Sequence, residues 1–179
     1  MKLVILDRDG VINIDSKNYI KNPDEWIPIE GSLEAIGLLN KNGFTVVIAT
    51  NQGAIGKKIF SEITLNKIHS KMHDLLREKK AKIDKVFYCP HTDEDNCTCR
   101  KPKTGLMQKI KEHYNISLNK IPAIGDSARD LEAFSKSEAQ PILVRTGNGK
   151  DVEKNKSFPS NTLIFDNLLE ASKFIIQME

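Results

Sequence analysis

Hydrophobic residues along the chain follow two alternating patterns. Short uninterrupted apolar runs have the length of strands that are buried on both faces of a sheet. Between them lie longer stretches in which apolar residues recur every three or four positions, as in an amphipathic helix. The six runs predicted as strands are Lys2–Leu6, Phe44–Ala49, Asp84–Tyr88, Ile121–Ile124, Ile142–Val144 and Thr162–Phe165.

Residues that favour helix ends mark the bounds of the predicted helices. Ser32 is the expected N-cap of a helix that runs to Asn42, and Gly43 is expected to end it. A longer helix is predicted from Ser61 to Lys80. The remaining helices are predicted to begin at Thr104, Ser127 and Asp166.

This alternation predicts an α/β fold with a doubly wound, mostly parallel sheet, and we expect one domain over residues 1–179. The longest stretches without either pattern are Arg8–Gly31 and Cys89–Lys103. Irregular segments of that length in a compact domain are usually functional. Because open α/β sheets bind ligands beyond the carboxyl ends of their strands, the residues that follow each strand are the first candidates for a site.

The composition narrows the class of protein. The 179 residues are 39% hydrophobic, and 27 basic against 24 acidic side chains leave a net charge of +3. This near balance gives no electrostatic reason to expect binding to nucleic acid or to a membrane surface. The first residues lack the basic region and long apolar stretch of a signal peptide. We therefore expect a cytoplasmic monomer that acts on a small molecule.

All three cysteines lie close together in the second long irregular segment. The order Cys89-Pro90-His91, five residues, then Cys97-Thr98-Cys99 offers three thiolates and one imidazole within eleven residues. Four such ligands complete a tetrahedral structural zinc site and leave no position for water. The plainer alternative is three free thiols in a loop. We predict that Cys89, His91, Cys97 and Cys99 bind Zn²⁺ in a loop spanning residues 89–99.

The residues after the first two strands can attack and bind a phosphate group. Asp7 and Asp9 follow the first strand, and Gly10 permits a turn that would face both carboxylates to the crevice. One carboxylate can attack an electrophile while the other transfers protons. The second strand leads to a hydroxyl, two amides and flexible backbone, a possible cradle for phosphate oxygens. The residues of this cradle are Thr50, Asn51, Gln52 and Gly53. Taken singly, the Asp-x-Asp-Gly motif is more often an acidic turn that closes a strand, and the segment after the second strand is equally well a capping turn.

Charged residues follow the next two strands. Arg100, Lys101 and Lys103 precede a helix N-terminus, where anions are favoured, although a solvated charge run is the plainer alternative. Asp126 can supply a carboxylate to Mg²⁺ opposite Asp7, or it can simply cap the following helix.

Taken together and in order, these strand ends resemble the four signature motifs of the haloacid-dehalogenase-like phosphatases. The matching residues are Asp7-Arg8-Asp9-Gly10, Thr50, Lys101 and Gly125-Asp126 with Asp130, and the resemblance extends from Lys2 to about Thr146. The zinc loop narrows it to a subgroup that contains heptose 1,7-bisphosphate 7-phosphatases and histidinol-phosphate phosphatases. Asp7–Asn13 and Leu143–Gly147 resemble the heptose enzymes, whereas Lys103 is nearer to the histidinol-phosphate enzymes. Gly53-Ala54 and Ser127 depart from the heptose pattern, in which Ser-Gly and Lys are usual.

The resemblance implies a Rossmann-like fold without a large cap domain and a phosphatase that depends on Mg²⁺. Asp7 would be the nucleophile that forms an aspartyl-phosphate, and Asp9 the acid and base. The Asp7 carboxylate, the Asp9 carbonyl and Asp126 would bind Mg²⁺, with Asp130 orienting them from behind. The phosphate would be held by Thr50, Asn51, Gln52, Gly53 and Lys101, and the rest of the substrate by Arg100, Asp15 and Tyr19.

The implied reaction removes the 7-phosphate of D-glycero-D-manno-heptose 1,7-bisphosphate, a step toward nucleotide-activated heptose for lipopolysaccharide core. The cations expected around the second phosphate are Arg100, Lys101, Lys103, Lys57 and Lys58. Histidinol-phosphate hydrolysis is the alternative reaction. A phospho-receiver domain is a further alternative, although Asp9 favours turnover, and the charge balance argues against a zinc-organised nucleic-acid-binding module.

Four other residues are assigned structural roles. His69, His73 and His113 lie within helical stretches and are expected at the surface or partly packed. Trp26 lies in the first long irregular segment and is expected to anchor it.

Overall fold

A computed structural model describes residues 1–178 as six parallel strands with helices on both faces. The strands are β1 (Leu3–Leu6), β2 (Thr45–Asn51), β3 (Lys85–Cys89), β4 (Pro122–Gly125), β5 (Gln140–Val144) and β6 (Leu163–Phe165). Their order across the sheet is β3-β2-β1-β4-β5-β6. Strands β1 to β3 therefore run from the centre of the sheet to one edge, and strands β4 to β6 run from the centre to the other edge. This order confirms the predicted doubly wound fold, and it places the reversal between β1 and β4.

Six α-helices connect and cover the strands. They are α1 (Ser32–Lys41), α2 (Glu62–Glu78), α3 (Gly105–Tyr114), α4 (Ala128–Lys136), α5 (Gly149–Asn155) and α6 (Leu168–Gln177). The sequence pattern did not predict α5, which has two turns and only one buried residue, Gly149. The segment over residues 7–31 holds a single 3-10 turn at Pro23–Glu25, and the described residues form no large cap domain.

One predicted N-cap and one predicted helix start are wrong, although α1 begins at Ser32 as predicted. Gly31 is the N-cap of α1, and the buried hydroxyl of Ser32 donates a hydrogen bond to the carbonyl of Ile12 at 2.7 Å. The last helix begins at Leu168, because the Asn167 side chain accepts a hydrogen bond from the backbone of Glu170 at 3.0 Å. Asn and Asp are comparably good N-caps, so the pattern alone did not distinguish Asp166 from Asn167.

The core consists of two apolar layers, one on each face of the sheet. Side chains of β1 alternate between them: Val4 and Leu6 pack with α1, α2 and α6, and Leu3 and Ile5 pack with α3 and α4. Trp26 is fully buried in the first layer and anchors the segment before α1, as predicted. Within residues 1–178, no helix has both the length and the apolar content needed to cross a membrane.

Candidate active site

A cleft of about 230 Å³ opens at the carboxyl ends of the strands, where the strand order reverses. It is lined by all the residues predicted to act in catalysis, to bind the transferred phosphate or to contact the sugar. These residues are Asp7, Asp9, Asp15, Tyr19, Thr50, Asn51, Gln52, Gly53, Arg100, Lys101, Asp126 and Asp130. Because β2 and β4 lie on either side of β1, residues that are far apart in sequence meet at the carboxyl ends of these strands.

Lys101 is the buried cation of the cleft. Its side chain is 1% exposed, and its Nζ lies 3.0 Å from Asp7 Oδ1 and 2.6 Å from Asp130 Oδ1. The ammonium also donates a hydrogen bond to the Ala49 carbonyl at 2.7 Å. Burial lowers the pKa of Lys101, but the charges of Asp130 and Asp7 raise that pKa by more, so the side chain stays charged.

Asp7 and Asp130, which contact this ammonium, form a cluster of three carboxylates with Asp126. Ligand oxygens of Asp7, Asp126 and Asp130 lie within 4.8 Å of one another. Burial and the charge of Asp130 raise the pKa of Asp7 to about 7, and burial with the charges of Asp130 and Asp7 raises the pKa of Asp126 to about 8. Asp7 Oδ1 is buried, and the Lys101 ammonium lies 3.0 Å from it. A cluster of three carboxylates, whose oxygens are hard donors, suits a divalent cation such as Mg²⁺.

Close backbone packing holds Asp126 against the turn after β1. A Cβ at Gly10, whose φ is +80°, would overlap the Asp126 carboxylate. Asp126 Oδ2 accepts hydrogen bonds from the backbone N–H of Asn148 at 2.8 Å and from its side-chain Nδ2 at 3.0 Å. Asp126 does not cap α4: Ser127 is the N-cap and forms a reciprocal capping box with Asp130. The alternative of a capping role for Asp126 is therefore wrong.

Asp9 sits in a dense hydrogen-bond network beside Asp7. The guanidinium of Arg8 contacts both carboxylate oxygens at 2.9 and 3.0 Å, Asn13 Nδ2 donates to Oδ1 at 2.9 Å, and Gln52 Nε2 donates to Oδ2 at 2.9 Å. Burial raises the pKa of Asp9, but Arg8, Asn13 and Gln52 lower it by more, so that pKa lies below its usual value.

Some of the residues after β2 hold other residues of the cleft in place. Thr50 is buried, and its hydroxyl accepts a hydrogen bond from Gln52 Nε2 at 3.0 Å. The side-chain amide of Asn51 donates to the Lys101 carbonyl and accepts from the Lys101 N–H, both at 3.0 Å. Asn51 therefore fixes the backbone of the buried cation, and its predicted contact with phosphate stays a prediction. A Cβ on Gly53 would lie 3.0 Å from Arg100 Nη1, so this glycine makes room for the guanidinium.

The outer cleft is basic, but its cations differ from the predicted set. Lys57, Arg100 and Arg129 line it. Arg100 pairs with Asp93, which is 70% exposed, at 2.7 Å. Lys103 points away: its Nζ donates to Asn96 Oδ1 at 2.6 Å and to the Cys97 carbonyl at 2.7 Å. The expectation that Lys103 reaches the second phosphate is wrong, because these contacts hold it against the cysteine loop. Lys58 does not line the cleft, and its predicted contact with that phosphate stays a prediction.

Asp15 and Tyr19 lie at the mouth of the cleft, on the segment after β1. Asn148 Nδ2 lies 3.4 Å from Asp15 Oδ2, and Lys57 Nζ lies 5.7 Å from the centre of the Tyr19 ring. A hydrogen bond to Tyr19 raises the pKa of Lys57. The two side chains thus meet groups from the segments that follow β5 and β2.

The cysteine loop is built as a four-ligand cluster beside the cleft. Sulfur–sulfur distances are 3.6 Å for Cys89–Cys97, 3.6 Å for Cys97–Cys99 and 3.0 Å for Cys89–Cys99. His91 Nδ1 lies 3.6 Å from the Cys89 sulfur and 3.4 Å from the Cys99 sulfur. A tetrahedral zinc ion at about 2.3 Å from each sulfur places sulfurs about 3.7 Å apart, close to the first two distances. These four residues can therefore hold Zn²⁺, and Arg100 and Lys101 follow them directly.

Known proteins match this chain over nearly its whole length, including the cleft and the cysteine loop. Residues 2–160 match the family model described as polynucleotide kinase 3 phosphatase. The chain is 46% identical over 179 residues to the D-glycero-beta-D-manno-heptose-1,7-bisphosphate 7-phosphatase of Neisseria meningitidis serogroup A, covering 99% of this chain and 96% of the relative.

The chain belongs to the heptose-1,7-bisphosphate 7-phosphatase family.

Solved structures agree with this family. The D,D-heptose 1,7-bisphosphate phosphatase of B. bronchiseptica, crystallised with magnesium and phosphate, superposes with a TM-score of 0.98 at 43% identity and full coverage of both chains. A putative had-like phosphatase from Mesorhizobium loti shares the fold with a TM-score of 0.82 at 24% identity, covering 99% of this chain and 87% of that one. Membership in this phosphatase family makes the protein a phosphoric monoester hydrolase, as predicted.

Asn148, Arg129 and His69 lie in or beside the cleft of this member of the family, and the sequence did not single them out as functional. Asn148 follows β5 and binds Asp126. His69 was expected at the surface or partly packed, and this is wrong: it is 8% exposed, and its Nε2 lies 3.1 Å from Arg8 Nη1. A signal for His69 existed, because it falls between Leu65 and Met72 on the apolar face of α2.

Proposed function

We propose that this protein hydrolyses the 7-phosphate of D-glycero-β-D-manno-heptose 1,7-bisphosphate through an aspartyl-phosphate on Asp7. This reaction would serve the biosynthesis of nucleotide-activated heptose for lipopolysaccharide core. The observation that carries the proposal is that Asp7, Lys101 and Asp126 meet at the carboxyl ends of the strands: Lys101 Nζ lies 3.0 Å from Asp7, and the Asp7 and Asp126 oxygens lie within 4.8 Å of each other. Relatives named for this reaction at 46% identity support the choice of substrate and anomer.

The acidic cluster fits Mg²⁺, and a related enzyme has been crystallised with magnesium and phosphate. The Asp7 and Asp126 carboxylates and the Asp9 main-chain carbonyl would hold the ion, with Asp130 orienting Lys101 beside them. Mg²⁺ at this position would offset the repulsion between these carboxylates and an anionic phosphate.

The chain's own residues divide the chemistry between them. An oxygen of Asp7 attacks the phosphorus and forms a P–O bond, and the bond from phosphorus to the sugar oxygen breaks. Asp9 is ionised in the free enzyme, but the negative charge of a bound phosphate raises its pKa, so that Asp9 takes up a proton as substrate binds and gives it to that sugar oxygen. It then takes a proton from the water that attacks the aspartyl-phosphate, which releases inorganic phosphate and restores Asp7.

The buried cation and the residues after β2 would hold the phosphoryl group. Lys101 Nζ lies 3.0 Å from Asp7, so the ammonium can pair with the Asp7 carboxylate before attack and with the phosphoryl oxygens during transfer. Thr50 and Gly53 line the same cleft, and the Thr50 hydroxyl and the Gly53 N–H would be the donors. Fixed donors of this kind stabilise the equatorial oxygens of the transferring group.

The zinc loop would have a structural role and would take no part in the chemical steps. Four protein ligands leave no open position for a water molecule, so a Zn²⁺ ion bound to this loop activates nothing. By fixing Cys99 it would fix the adjacent Arg100 and Lys101. The loop thus supports the cleft from outside.

The outer cleft favours a substrate with a second phosphate. Lys57, Arg100 and Arg129 bring positive charge to one side of the opening. Asp15 brings one carboxylate to the mouth. Histidinol phosphate presents an amine and an imidazole at this end, and these groups would need carboxylates instead.

A panel of phosphate esters tests the proposed substrate. We expect kcat/KM for the heptose bisphosphate to exceed that for histidinol phosphate at least about 100-fold, or roughly 2.7 kcal/mol, and Arg100→Ala or Arg129→Ala to narrow the gap. A 3′-phosphorylated oligonucleotide belongs in the panel because of the matching family model. Comparable constants for histidinol phosphate or the oligonucleotide would refute the substrate while leaving the phosphatase chemistry intact.

A further inference from the structure

Arg8 lies between the nucleophile and Asp9 and is almost fully buried, with 1% of its surface exposed. Its Nε donates to Asp9 Oδ1 at 3.1 Å, and its Nη2 donates to both Asp9 oxygens. Nη2 also donates to Gln52 Oε1 at 3.2 Å. The guanidinium plane is thus joined to the Asp9 carboxylate along one edge.

The other edge of this guanidinium meets His69. His69 lies in the middle of α2 and is buried, and its Nε2 lies 3.1 Å from Arg8 Nη1. A guanidinium only donates hydrogen bonds, so Nε2 accepts and the ring proton sits on Nδ1. Burial, with the charge of Arg8, lowers the pKa of His69 to about 3, which agrees with a neutral acceptor.

We propose that His69 is a positioning residue for proton transfer: by accepting from Arg8 it fixes the guanidinium that orients the Asp9 carboxylate. This inference rests on the proposed function, in which Asp9 exchanges a proton with the sugar oxygen. Without His69, Nη1 loses its anchor and the guanidinium can turn, and the carboxylate moves with it. A shift of about 1 Å in such a group lowers rates by about 100-fold.

The Asp9 carboxylate is the part of this chain of contacts that reaches the cleft. Its side chain is 21% exposed, whereas Arg8 is 1% exposed. Neither Arg8 Nη1 nor His69 needs to touch substrate for the effect. The consequence is a specific one: losing His69 should impair protonation of the leaving group and leave attack by Asp7 intact.

Two esters separate protonation from attack. The heptose bisphosphate has a sugar-alkoxide leaving group that needs a proton, and p-nitrophenyl phosphate has a leaving group that does not. The ratio kcat/KM covers only the steps up to release of the alcohol, so hydrolysis of the aspartyl-phosphate, where Asp9 acts as base, does not affect it.

We expect His69→Leu to lower kcat/KM for the heptose bisphosphate by at least about 10-fold, part of the 100- to 10,000-fold that acid–base catalysis supplies. For p-nitrophenyl phosphate, kcat/KM should stay within about threefold of the wild-type value. His69→Gln keeps an acceptor oxygen and should restore most of the loss. His73→Leu, one turn further along the same helix and half-buried, is the matched control and should leave both ratios unchanged.

Equal losses on the two esters, no loss on either, or a His69→Gln variant as impaired as His69→Leu would overturn the proposal. If His69→Leu does not fold, Arg8→Lys tests the same link, because it keeps the charge and removes the two-pronged contact with Asp9. Arg8→Lys should show the same selective loss, and an equal loss on both esters would overturn the proposal. A wild-type enzyme that does not hydrolyse the heptose bisphosphate would refute the proposed function instead.

Discussion

Gly147→Ala should displace Asp126 and cost both stability and activity. Gly147 follows β5 with a φ of +55°, and a Cβ there would overlap Asp126 Oδ2 and lie 2.7 Å from Gly10 Cα. Asp126 Oδ2 cannot move aside freely, because Asn148 donates two hydrogen bonds to it. The substitution therefore forces either the carboxylate or the turn after β1 out of place.

The size of the effect follows from two contributions. A positive φ costs an alanine about 1 kcal/mol, and relieving the overlap costs about 1–3 kcal/mol more. The sum, about 2–4 kcal/mol, corresponds to a fall in Tm of about 10 °C for a chain of this length. Moving the Asp126 carboxylate by about 1 Å should also lower kcat about 100-fold.

Gly43→Ala is the matched control. Gly43 has a φ of +83°, but no other atom lies within 4 Å of the position of its Cβ. It should lose only the backbone contribution, about 1 kcal/mol, with kcat unchanged. Calorimetry gives Tm for both variants, and Mg²⁺ titrations of turnover give kcat and half-saturation. If the two variants match in kcat and Mg²⁺ half-saturation, the reasoning about Asp126 is refuted.

Three further predictions concern the reacting carboxylates, the zinc loop and the buried histidine. Asp7→Asn and Asp9→Asn should each lower kcat at least about 100-fold, with Mg²⁺ affinity by calorimetry falling more for Asp7→Asn; near-wild-type turnover of Asp7→Asn would contradict the mechanism. Elemental analysis should find about one zinc per chain, and Cys97→Ser should lower Tm and weaken substrate binding more than it changes turnover of a small ester. A zinc-free protein with full stability would contradict this. The pKa of His69 is lowered to about 3, so below about pH 6.5 the His69 ring is protonated in the unfolded chain but not in the folded one. The free energy of unfolding therefore falls as pH falls. From pH 6.5 to 5 the wild type should lose about 1.6 kcal/mol more than His69→Gln in denaturant titrations, and equal losses would count against a buried neutral ring.

The strand pattern and the strand ends were predictable because both depend on short-range rules. Apolar runs identified all six strands, and the rule that ligands bind at the carboxyl ends of strands brought Asp7, Thr50, Lys101 and Asp126 into one site. The spacing of Cys89, His91, Cys97 and Cys99 likewise specified the cluster that the structure shows.

Contacts that depend on the packing of distant segments were not predictable in the same way. Asn148 binds Asp126 from 22 residues away, although the strand-end rule applied to β5 would have pointed to it. Lys103 turned toward the Cys97 carbonyl, and nothing in the local sequence distinguishes it from the cations that line the cleft. The N-cap of α1 is Gly31 because the fold uses the Ser32 hydroxyl to bind the Ile12 carbonyl, and the N-cap of α6 is Asn167 because Asp and Asn are equivalent caps until the fold selects one.

Phosphorus NMR of a reaction with D-glycero-β-D-manno-heptose 1,7-bisphosphate tests the proposed reaction most directly. The resonance of the 7-phosphate, coupled to the two protons on C7, should disappear in the presence of Mg²⁺ while the anomeric phosphate remains and inorganic phosphate accumulates. Wild-type protein should produce heptose 1-phosphate in this way, and Asp7→Asn should leave both phosphates in place. Loss of the anomeric phosphate, or turnover of the bisphosphate by Asp7→Asn at the wild-type rate, would contradict the assignment of Asp7 as the nucleophile of a 7-phosphatase.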